Sequence, residues 1–458
     1  MNVFDQYISS VQNLSAAGVC QFAQLADVTR NHVTSGTLKS QTAVSLDTAL
    51  EALDLQQHSI GILAILHAKL HTVNNQNGFD IIFAQTQEFA TGCNGEQVRH
   101  VADIYSDLFH QLTEMSLKKN ECNRMIGLLS KAIQSLRESA TQLTSLHSDL
   151  CCVCLKTRIL KPALSLLDTD ITDIIKEFNT GEAFDARYFL QYYYYGGMIY
   201  AALKQFDRSL YFFEVALTTP SVAVSTIMVE SYKKYVLVSL ILDGKLNPLP
   251  PYKSPVVNRF IKPACQLYCD LVKLVESLEY PSTLEDFLNK NRNALAQDRN
   301  VGLVKQVIRA QLKRFVQRLT KTFLTLSLAD VAAQCKLSGG PQEAESHILT
   351  MIEDDEILAS IDQENGMVQF YDDSERFDAA RTGQLIDEEL TECLQQQQLI
   401  TKLDTDTLLN PQYVSKASKS GGGFYGGASI SFPHEDEGVS VGGSAMMPTS
   451  LEDIVGLR

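Results

Sequence analysis

The stretch ILASIDQENGMVQFYDD, residues 357–373, decides the fold of the C-terminal part of this chain. It holds two short apolar runs on either side of Asn365-Gly366. An Asn-Gly pair between two apolar runs is a strong signal for a β-hairpin. The rest of the 458-residue chain is mostly helical in pattern, because apolar side chains recur every three or four positions. The sequence therefore predicts one isolated hairpin near the end of a helical protein.

Two short helices are predicted directly before the hairpin. Ser327 is a suitable N-cap for the first helix. Gly339-Gly340 forms a turn, and Pro341 suits the first position of the second helix. The predicted apolar faces consist of Leu328, Val331, Ala332 and Cys335 in the first helix, and of Ala344, Ile348, Met351 and Ile352 in the second. With residues 303–323 as a leading helix, this order of helix, turn, helix and hairpin predicts a winged helix.

The predicted winged helix favours a protein partner over nucleic acid. Its second helix, PQEAESHILTMI, has two glutamates and no lysine or arginine, so it would repel phosphates. A small sheet also has an edge strand, whose unpaired backbone groups pair with a strand of another protein. We expect that edge at the strand around Val368 and Phe370.

A long helix is predicted after the hairpin, in the stretch FDAARTGQLIDEELTECLQQQQLITKL, residues 377–403. One seam of this helix has spacings of four, three, four and three; its members are Ile386, Leu390, Cys393, Gln397 and Ile400. Such heptad-like spacing is typical of a helix that packs against other helices. We expect partner helices at this seam, since it continues well beyond the winged helix. Packing back onto its own domain is the alternative.

The N-terminal half predicts an array of helical repeats. In YFLQYYYYGGMIYAALKQFDRSLYFFEVALTTP, residues 188–220, one helix holds Tyr193, Gly197 and Tyr200, and a second holds Ser209, Phe213 and Ala216. Small and large residues alternate so that two antiparallel helices approach closely, as in tetratricopeptide-type repeats. A solenoid of such pairs is typical of a binding surface or spacer.

The predicted fold class is mostly α: tetratricopeptide-like helical repeats, a winged-helix module, a long C-terminal helix and a disordered tail. The repeat array covers residues 1–243 and a proline-rich connector covers 244–257. The end of the array and the winged helix follow over 258–373. The C-terminal helix covers 374–412, and a glycine- and serine-rich tail covers 413–458.

The charge distribution argues against nucleic-acid binding. The net charge is −15, and the segment from Lys336 to Asn410 carries four basic and eighteen acidic side chains. Such a surface repels phosphate backbones. One basic stripe, within residues 305–321, permits a phosphate-binding interpretation, but a solvated helix face beside an acidic neighbour is favoured.

The sequence predicts a reducing compartment, the cytoplasm and nucleus. The ten cysteines form no disulfide framework, and the N-terminus carries no secretory signal. No apolar run approaches the roughly 20 residues that span a bilayer, so no membrane association is expected.

No catalytic, cofactor-binding or metal site is predicted. His67 and His71 have helical spacing, but Ala68 stands where a metalloprotease motif needs a glutamate as its general base. Cys151 and Cys154 form a single CxxC pair, whereas a tetrahedral zinc site needs four ligands. We expect buried thiols there, and a chain that is not an enzyme.

Helical repeats that lead directly into a winged helix resemble the PCI proteins, which are shared by the proteasome lid, the COP9 signalosome and an initiation-factor complex. Within that group the chain is similar to the subunit-three family of the signalosome, over most of residues 1–410. Three stretches carry this resemblance: residues 187–220, DGKLNPLPPYKSP at 243–255, and SLADVAAQCKLSGGPQEAESHILTMIEDDEILASIDQENGMVQFYDD at 327–373.

The resemblance implies a non-catalytic scaffold. In this family the winged helices pair edge to edge in an open ring, and the C-terminal helices gather in one bundle. The assembly removes the ubiquitin-like modifier Nedd from cullins and so regulates cullin–RING ubiquitin ligases; the neighbours expected here are subunits one and eight. Alternatives are a subunit of the proteasome lid or initiation-factor complex, a free helical-repeat adaptor, and a nucleic-acid-binding regulator that uses the basic stripe.

Overall fold

The computed structural model describes residues 3–16, 21–38, 41–72, 76–177, 185–221, 223–277, 281–337, 339–371 and 379–419. The chain divides into two compact units, one ending at Tyr371 and the other following it. The first unit begins with helices α1 (Val3–Ala16), α2 (Phe22–Thr34), α3 (Ala43–Glu51), α4 (Ser59–Thr72), α5 (Gln76–Gly92), α6 (Gly95–Arg99), α7 (Ala102–Lys119), α8 (Cys122–Leu136), α9 (Leu146–Thr157) and α10 (Lys161–Leu167).

The array continues with α11 (Ala186–Ala202), α12 (Phe206–Thr218), α13 (Thr226–Leu242), a π-helical segment Val257–Ile261, α14 (Lys262–Ala264), α15 (Gln266–Glu276), α16 (Pro281–Lys290) and α17 (Arg292–Gln297). Two short strands, β1 (Gln142–Leu143) and β2 (Asp173–Ile174), pair in parallel between its helices. One continuous apolar core runs from Phe4 to Ile308, so the predicted helical-repeat array is confirmed.

The helix pair α11–α12 has the close approach that the sequence predicts. Gly197 lies against the ring of Phe213, and the Ser209 hydroxyl donates a hydrogen bond of 2.8 Å to the Gly197 carbonyl. The turn between the helices holds Lys204 at a φ of 62°. Tyr193, Tyr200 and Ala216 are buried, so the tyrosines pack between helices instead of facing solvent.

Replacing Gly197 with alanine is expected to destabilise this helix pair. A Cβ at this position would lie 2.7 Å from Phe213 Cε1, closer than packed carbon atoms allow. Overpacking costs about 1–3 kcal/mol, and the better helix propensity of alanine offsets about 1 kcal/mol of it. We expect a lower free energy of unfolding in urea titrations. Gly127→Ala in α8, where the new Cβ meets nothing within 4 Å, is the matched control and should stabilise. Equal effects of the two changes would contradict the packing argument.

His147 in α9 makes the stability of the array depend on pH. The side chain is buried, its Nδ1 accepts a hydrogen bond of 3.1 Å from the Thr144 amide, and burial lowers its pKa to about 4. An unfolded chain binds a proton here near pH 6.5, so acid favours unfolding between pH 6.5 and 4. The expected loss over that window is about 3 kcal/mol, because one pKa unit corresponds to about 1.4 kcal/mol. Unfolding of His147→Gln at pH 7 and pH 5 should show a weaker pH dependence; the same slope as the unchanged chain would refute this.

The winged helix follows the array through a shared helix. Helix α18 (Val301–Thr320) packs Val304 and Val307 into the array core, and Leu312 and Val316 into a second core. The module then contains β3 (Thr325–Ser327), α19 (Leu328–Cys335), α20 (Gly340–Glu353), β4 (Ala359–Asp362) and β5 (Met367–Phe370). The predicted winged helix, with its PCI-type order of elements, is confirmed.

Local sequence signals act as predicted within this module. The Ser327 hydroxyl accepts a hydrogen bond of 3.0 Å from the Asp330 amide and so caps α19. The four residues predicted for the apolar face of α19 are buried, as are Ala344, Ile348 and Met351 of α20, while Ile352 is half-buried. At the hairpin turn Gly366 has a φ of 63°.

The second unit contains helices α21 (Ala379–Leu409) and α22 (Pro411–Lys419). The break between them is local, since the Asn410 side chain accepts a hydrogen bond of 2.9 Å from the Gln412 amide and Pro411 opens the new helix. Helix α22 covers the first residues of the segment for which a tail is predicted. Residues 420–458 lie outside the described residues.

Candidate interaction surfaces

The sheet of the winged helix has the order β3-β5-β4, so β5 is its central strand. Val368 pairs with Leu326 on one side and with Ile361 on the other. The side chains of Val368 and Phe370 are 0% and 4% exposed and lie in the core of the module. The prediction that their strand forms the sheet edge is therefore wrong. A third strand, β3, covers the side that the hairpin alone would leave open.

The two edge strands of the sheet are β3 and β4, and they differ in their suitability for pairing with an added strand. The Tyr371 amide donates a hydrogen bond of 2.9 Å to the Leu358 carbonyl. From this pair onward, hydrogen-bonded and non-hydrogen-bonded residue pairs alternate along β4 and β5. Ala359 and Ile361 therefore direct their backbone N–H and C=O groups away from β5. Strand β3 has three residues, and the last of them, Ser327, serves as the cap of α19. The β4 edge, with Ala359 and Ile361, is the better site for an added strand.

Helix α21 carries the predicted seam on a surface that is exposed throughout. Ile386 and Leu390 are each 55% exposed and Ile400 is 65% exposed, while Cys393 and Gln397 are exposed as well. The apolar surface is broader than the five predicted positions, and its further large side chains are Leu385, Leu394, Leu399, Leu403 and Leu408. A stripe of this width suits contact with more than one neighbouring helix.

Comparison with known proteins agrees with this arrangement. A family model described as COP9 signalosome complex subunit 3, N-terminal helical repeats, matches residues 20–257, and a PCI domain model matches residues 288–372. The chain is 40% identical to the COP9 signalosome complex subunit 3 of Drosophila melanogaster over 429 residues, which cover 91% of this chain and 95% of that protein. The chain belongs to the COP9 signalosome subunit 3 family. The subunit 3 of Dictyostelium discoideum is 32% identical over 378 residues, or 81% of this chain and 88% of that protein.

In this member of the COP9 signalosome subunit 3 family, two charges of the basic stripe have partners inside the molecule. Lys313 binds the carboxylates of Asp354 at 3.0 Å and Glu356 at 2.7 Å. The half-buried Arg314 guanidinium donates hydrogen bonds to the carbonyls of Leu240 and Ile241 at the end of α13. These contacts favour the interpretation of the stripe as a helix face beside acidic neighbours.

The second helix of the winged helix, α20, has the acidic character expected from sequence. Glu343 accepts a hydrogen bond of 2.7 Å from the Gly339 amide and so caps its own helix. Glu345 accepts a hydrogen bond from Gln363 in the hairpin turn. Both carboxylates lie where a DNA-reading helix needs positive charge or base-reading amides.

The cysteine pair singled out in the sequence is part of the array core, whereas of the two histidines His67 is buried and His71 is exposed. Cys151 and Cys154 are buried, and burial raises the pKa of the Cys154 thiol to about 11. His67 contacts Asp107 at 2.8 Å, and its ring lies 4.9 Å from that of His71. Within the described ranges no group of three or more histidine, cysteine or acidic residues is placed to hold a metal ion.

One constellation with catalytic geometry escapes sequence reasoning. His110 Nε2 lies 3.0 Å from Ser145 Oγ, and His110 Nδ1 lies 2.6 Å from Asp149 Oδ2. Ser145 is 0% exposed, its amide donates a hydrogen bond to Glu177, and the His110 ring stacks on Tyr188 at 4.3 Å. A buried hydroxyl is closed to a substrate carbonyl, so this cluster joins α7 to α9 structurally.

Among the helices of the described residues, none is both long and apolar enough to cross a membrane.

Proposed function

We propose that this chain is a non-catalytic scaffold subunit of the COP9 signalosome. The observation that carries the proposal is the apolar stripe of α21, whose large side chains are exposed from Leu385 to Leu408. Exposed apolar stripes of this extent mark sites of protein association. The membership in the subunit 3 family supports the signalosome as the assembly in which α21 finds its partner helices.

The winged helix supplies a second contact in this proposal. The outward backbone groups of Ala359 and Ile361 on β4 pair with a strand or edge of a neighbouring PCI subunit. The helical array holds this edge in place through α18, which packs into both cores. A chain with two separate contact surfaces is suited to joining proteins.

The proposal includes finer assignments, which the resemblance to the family supports. The assembly removes the ubiquitin-like modifier Nedd from cullins and so regulates cullin–RING ligases. This chain positions other subunits of the assembly and does not itself catalyse the reaction. Subunits one and eight are its neighbours, and the complex works in the cytoplasm and nucleus. A subunit of the proteasome lid or of an initiation-factor complex is the alternative within the same architecture, and a free adaptor is the alternative outside it.

The test is gentle purification of the tagged full-length chain from cells, followed by native mass spectrometry of the intact assembly. We expect a complex of several different PCI subunits that deconjugates neddylated cullin in a gel assay. Cross-linking should place subunits one and eight beside this chain. Recovery with proteasome-lid or initiation-factor subunits would replace the assignment, and a stable monomer with a protected α21 would refute the scaffold role.

A further inference from the structure

The proline-rich connector that follows α13 contains a short extended segment that neither candidate surface uses. Residues 246–250 belong to no helix or strand. Pro248, Pro250 and Pro251 each fix their own φ at about −65°, and each restricts the residue before it to extended conformations. The backbone from Asn247 to Pro250 is therefore confined to the polyproline II region and its extended neighbours.

Hydrogen bonds and apolar contacts hold this segment on the helical array. The Asn247 amide donates a hydrogen bond of 2.7 Å to Ser239 Oγ, and its side-chain amide donates one of 2.6 Å to the Asp243 carboxylate. Leu246 and Leu249 pack against the array core. The segment is thus ordered before any partner arrives, and binding does not have to fix its backbone.

The segment is exposed at every third residue. Lys245, Pro248 and Pro251 are exposed. The four residues between them are half-buried: Leu246, Asn247, Leu249 and Pro250. A polyproline II helix has three residues per turn, so side chains three positions apart share one side of it. The exposed side therefore presents a lysine and two prolines in one row.

A turn ends the extended segment at Pro251. The Lys253 amide donates a hydrogen bond of 3.1 Å to the Pro250 carbonyl, which puts Pro251 at the second position of a β-turn, where proline is favoured. Tyr252 follows and is 71% exposed, while Lys253 is half-buried. Because the chain reverses here, Lys253 does not continue the row, and Lys245 is the cation in line with the prolines.

The row has the composition that SH3 domains recognise. Their groove is lined by aromatic side chains, which contact the prolines of a P-x-x-P segment in a polyproline II helix. Pro248 and Pro251 have that spacing, and Lys245 precedes the first proline by one further turn. Residues 244–254 contain two lysines and no acidic side chain. Such a segment suits a groove with acidic side chains at one end, which favours SH3 domains over other proline-binding domains.

We propose that residues 245–251 are a binding site for an SH3 domain of another protein. Pro248 and Pro251 enter the aromatic-lined groove, and the Lys245 ammonium binds carboxylates at its end. The site goes beyond the scaffold role proposed above, because it uses neither α21 nor the β4 edge and adds a protein from outside the assembly.

The test measures binding of the purified full-length chain to a panel of purified SH3 domains by isothermal titration calorimetry, with WW domains as the comparison. We expect at least one SH3 domain to bind. Pro248→Ala with Pro251→Ala should weaken that binding at least about ten-fold, because both anchors are removed. Pro220→Ala with Pro255→Ala, which changes two exposed prolines outside the segment, is the matched control and should leave the affinity unchanged.

The two lysines test the direction of binding. Lys245→Glu should weaken binding at least about ten-fold at low salt, and Lys253→Glu should weaken it much less. An equal or larger loss from Lys253→Glu would overturn the proposal. So would a panel in which no SH3 domain binds, binding by WW domains alone, or equal losses in the proline test and control variants. Circular dichroism checks that each variant keeps its helix content.

The scaffold role is measured separately, by recovery of the chain with other subunits. The proline and lysine variants should join the assembly as the unchanged chain does, and the assembly should bind the same SH3 domain. If the assembly forms but does not bind the domain, the proposal for the connector alone fails. If no assembly forms while the domain binds with the expected variant effects, the scaffold proposal alone fails.

Discussion

Phe370→Ala is expected to lower the free energy of unfolding of the winged helix by about 3–5 kcal/mol, the range for a phenylalanine removed from a core. The side chain is 4% exposed and packs in the second core beneath the central strand. The array has its own core, so hydrogen exchange of residues 325–370 should report the loss while the array stays protected. Peptide-resolved exchange by mass spectrometry is the measurement.

Met367→Ala is the matched control for this change. Met367 lies on the same strand and is 37% exposed, so its truncation should cost about 1 kcal/mol or less. A Phe370→Ala protein with normal exchange protection but fewer bound subunits would show instead that Phe370 acts at an interface. The pair of variants therefore separates a core residue from a contact residue on one strand.

Leu390→Asp with Ile400→Asp is expected to reduce recovery of the chain in the assembly by at least about ten-fold, because each change puts a carboxylate into an apolar helix contact. Both side chains are more than half exposed, so neither change removes a core contact. Recovery is measured by quantitative mass spectrometry of the purified complex, and circular dichroism checks the helix content.

The same number of charges on the opposite face of α21 is the control. Thr391→Asp with Gln395→Asp changes exposed positions that lie away from the seam and should leave recovery close to normal. If both double variants lose the complex equally, added negative charge is responsible and the seam is not. If neither loses it, the apolar stripe is not the site of assembly.

Local signals in the sequence were sufficient to predict most elements of the winged helix. The cap at Ser327, the apolar face of α19 and the turn at Gly366 depend on neighbours within a few residues, and the structure has them as predicted. The edge of the sheet depends on a distant strand. Strand β3 is too short to show an alternating pattern, so the sequence did not reveal that Val368 and Phe370 would be enclosed.

The long-range polar contacts were also beyond sequence reasoning. Arg314 reaches carbonyls more than 70 residues earlier, and His110 meets Ser145 across 35 residues. Nothing in the local pattern distinguishes these side chains from solvent-exposed ones. The candidate surfaces divide in the same way: the exposed seam of α21 could be predicted from spacing within one helix, whereas the open edge at β4 depends on strands that meet only in the fold.

Helix α18 has a mechanical consequence for any assembly of this chain. It is a continuous helix of 20 residues, about 30 Å long, with one half in each core. A helix that is packed into a core at both ends connects the two cores rigidly, whereas a loop between two domains would bend. We therefore expect a force that tilts the helical repeats to turn the β4 edge with them, and so to change the direction in which the winged helix faces.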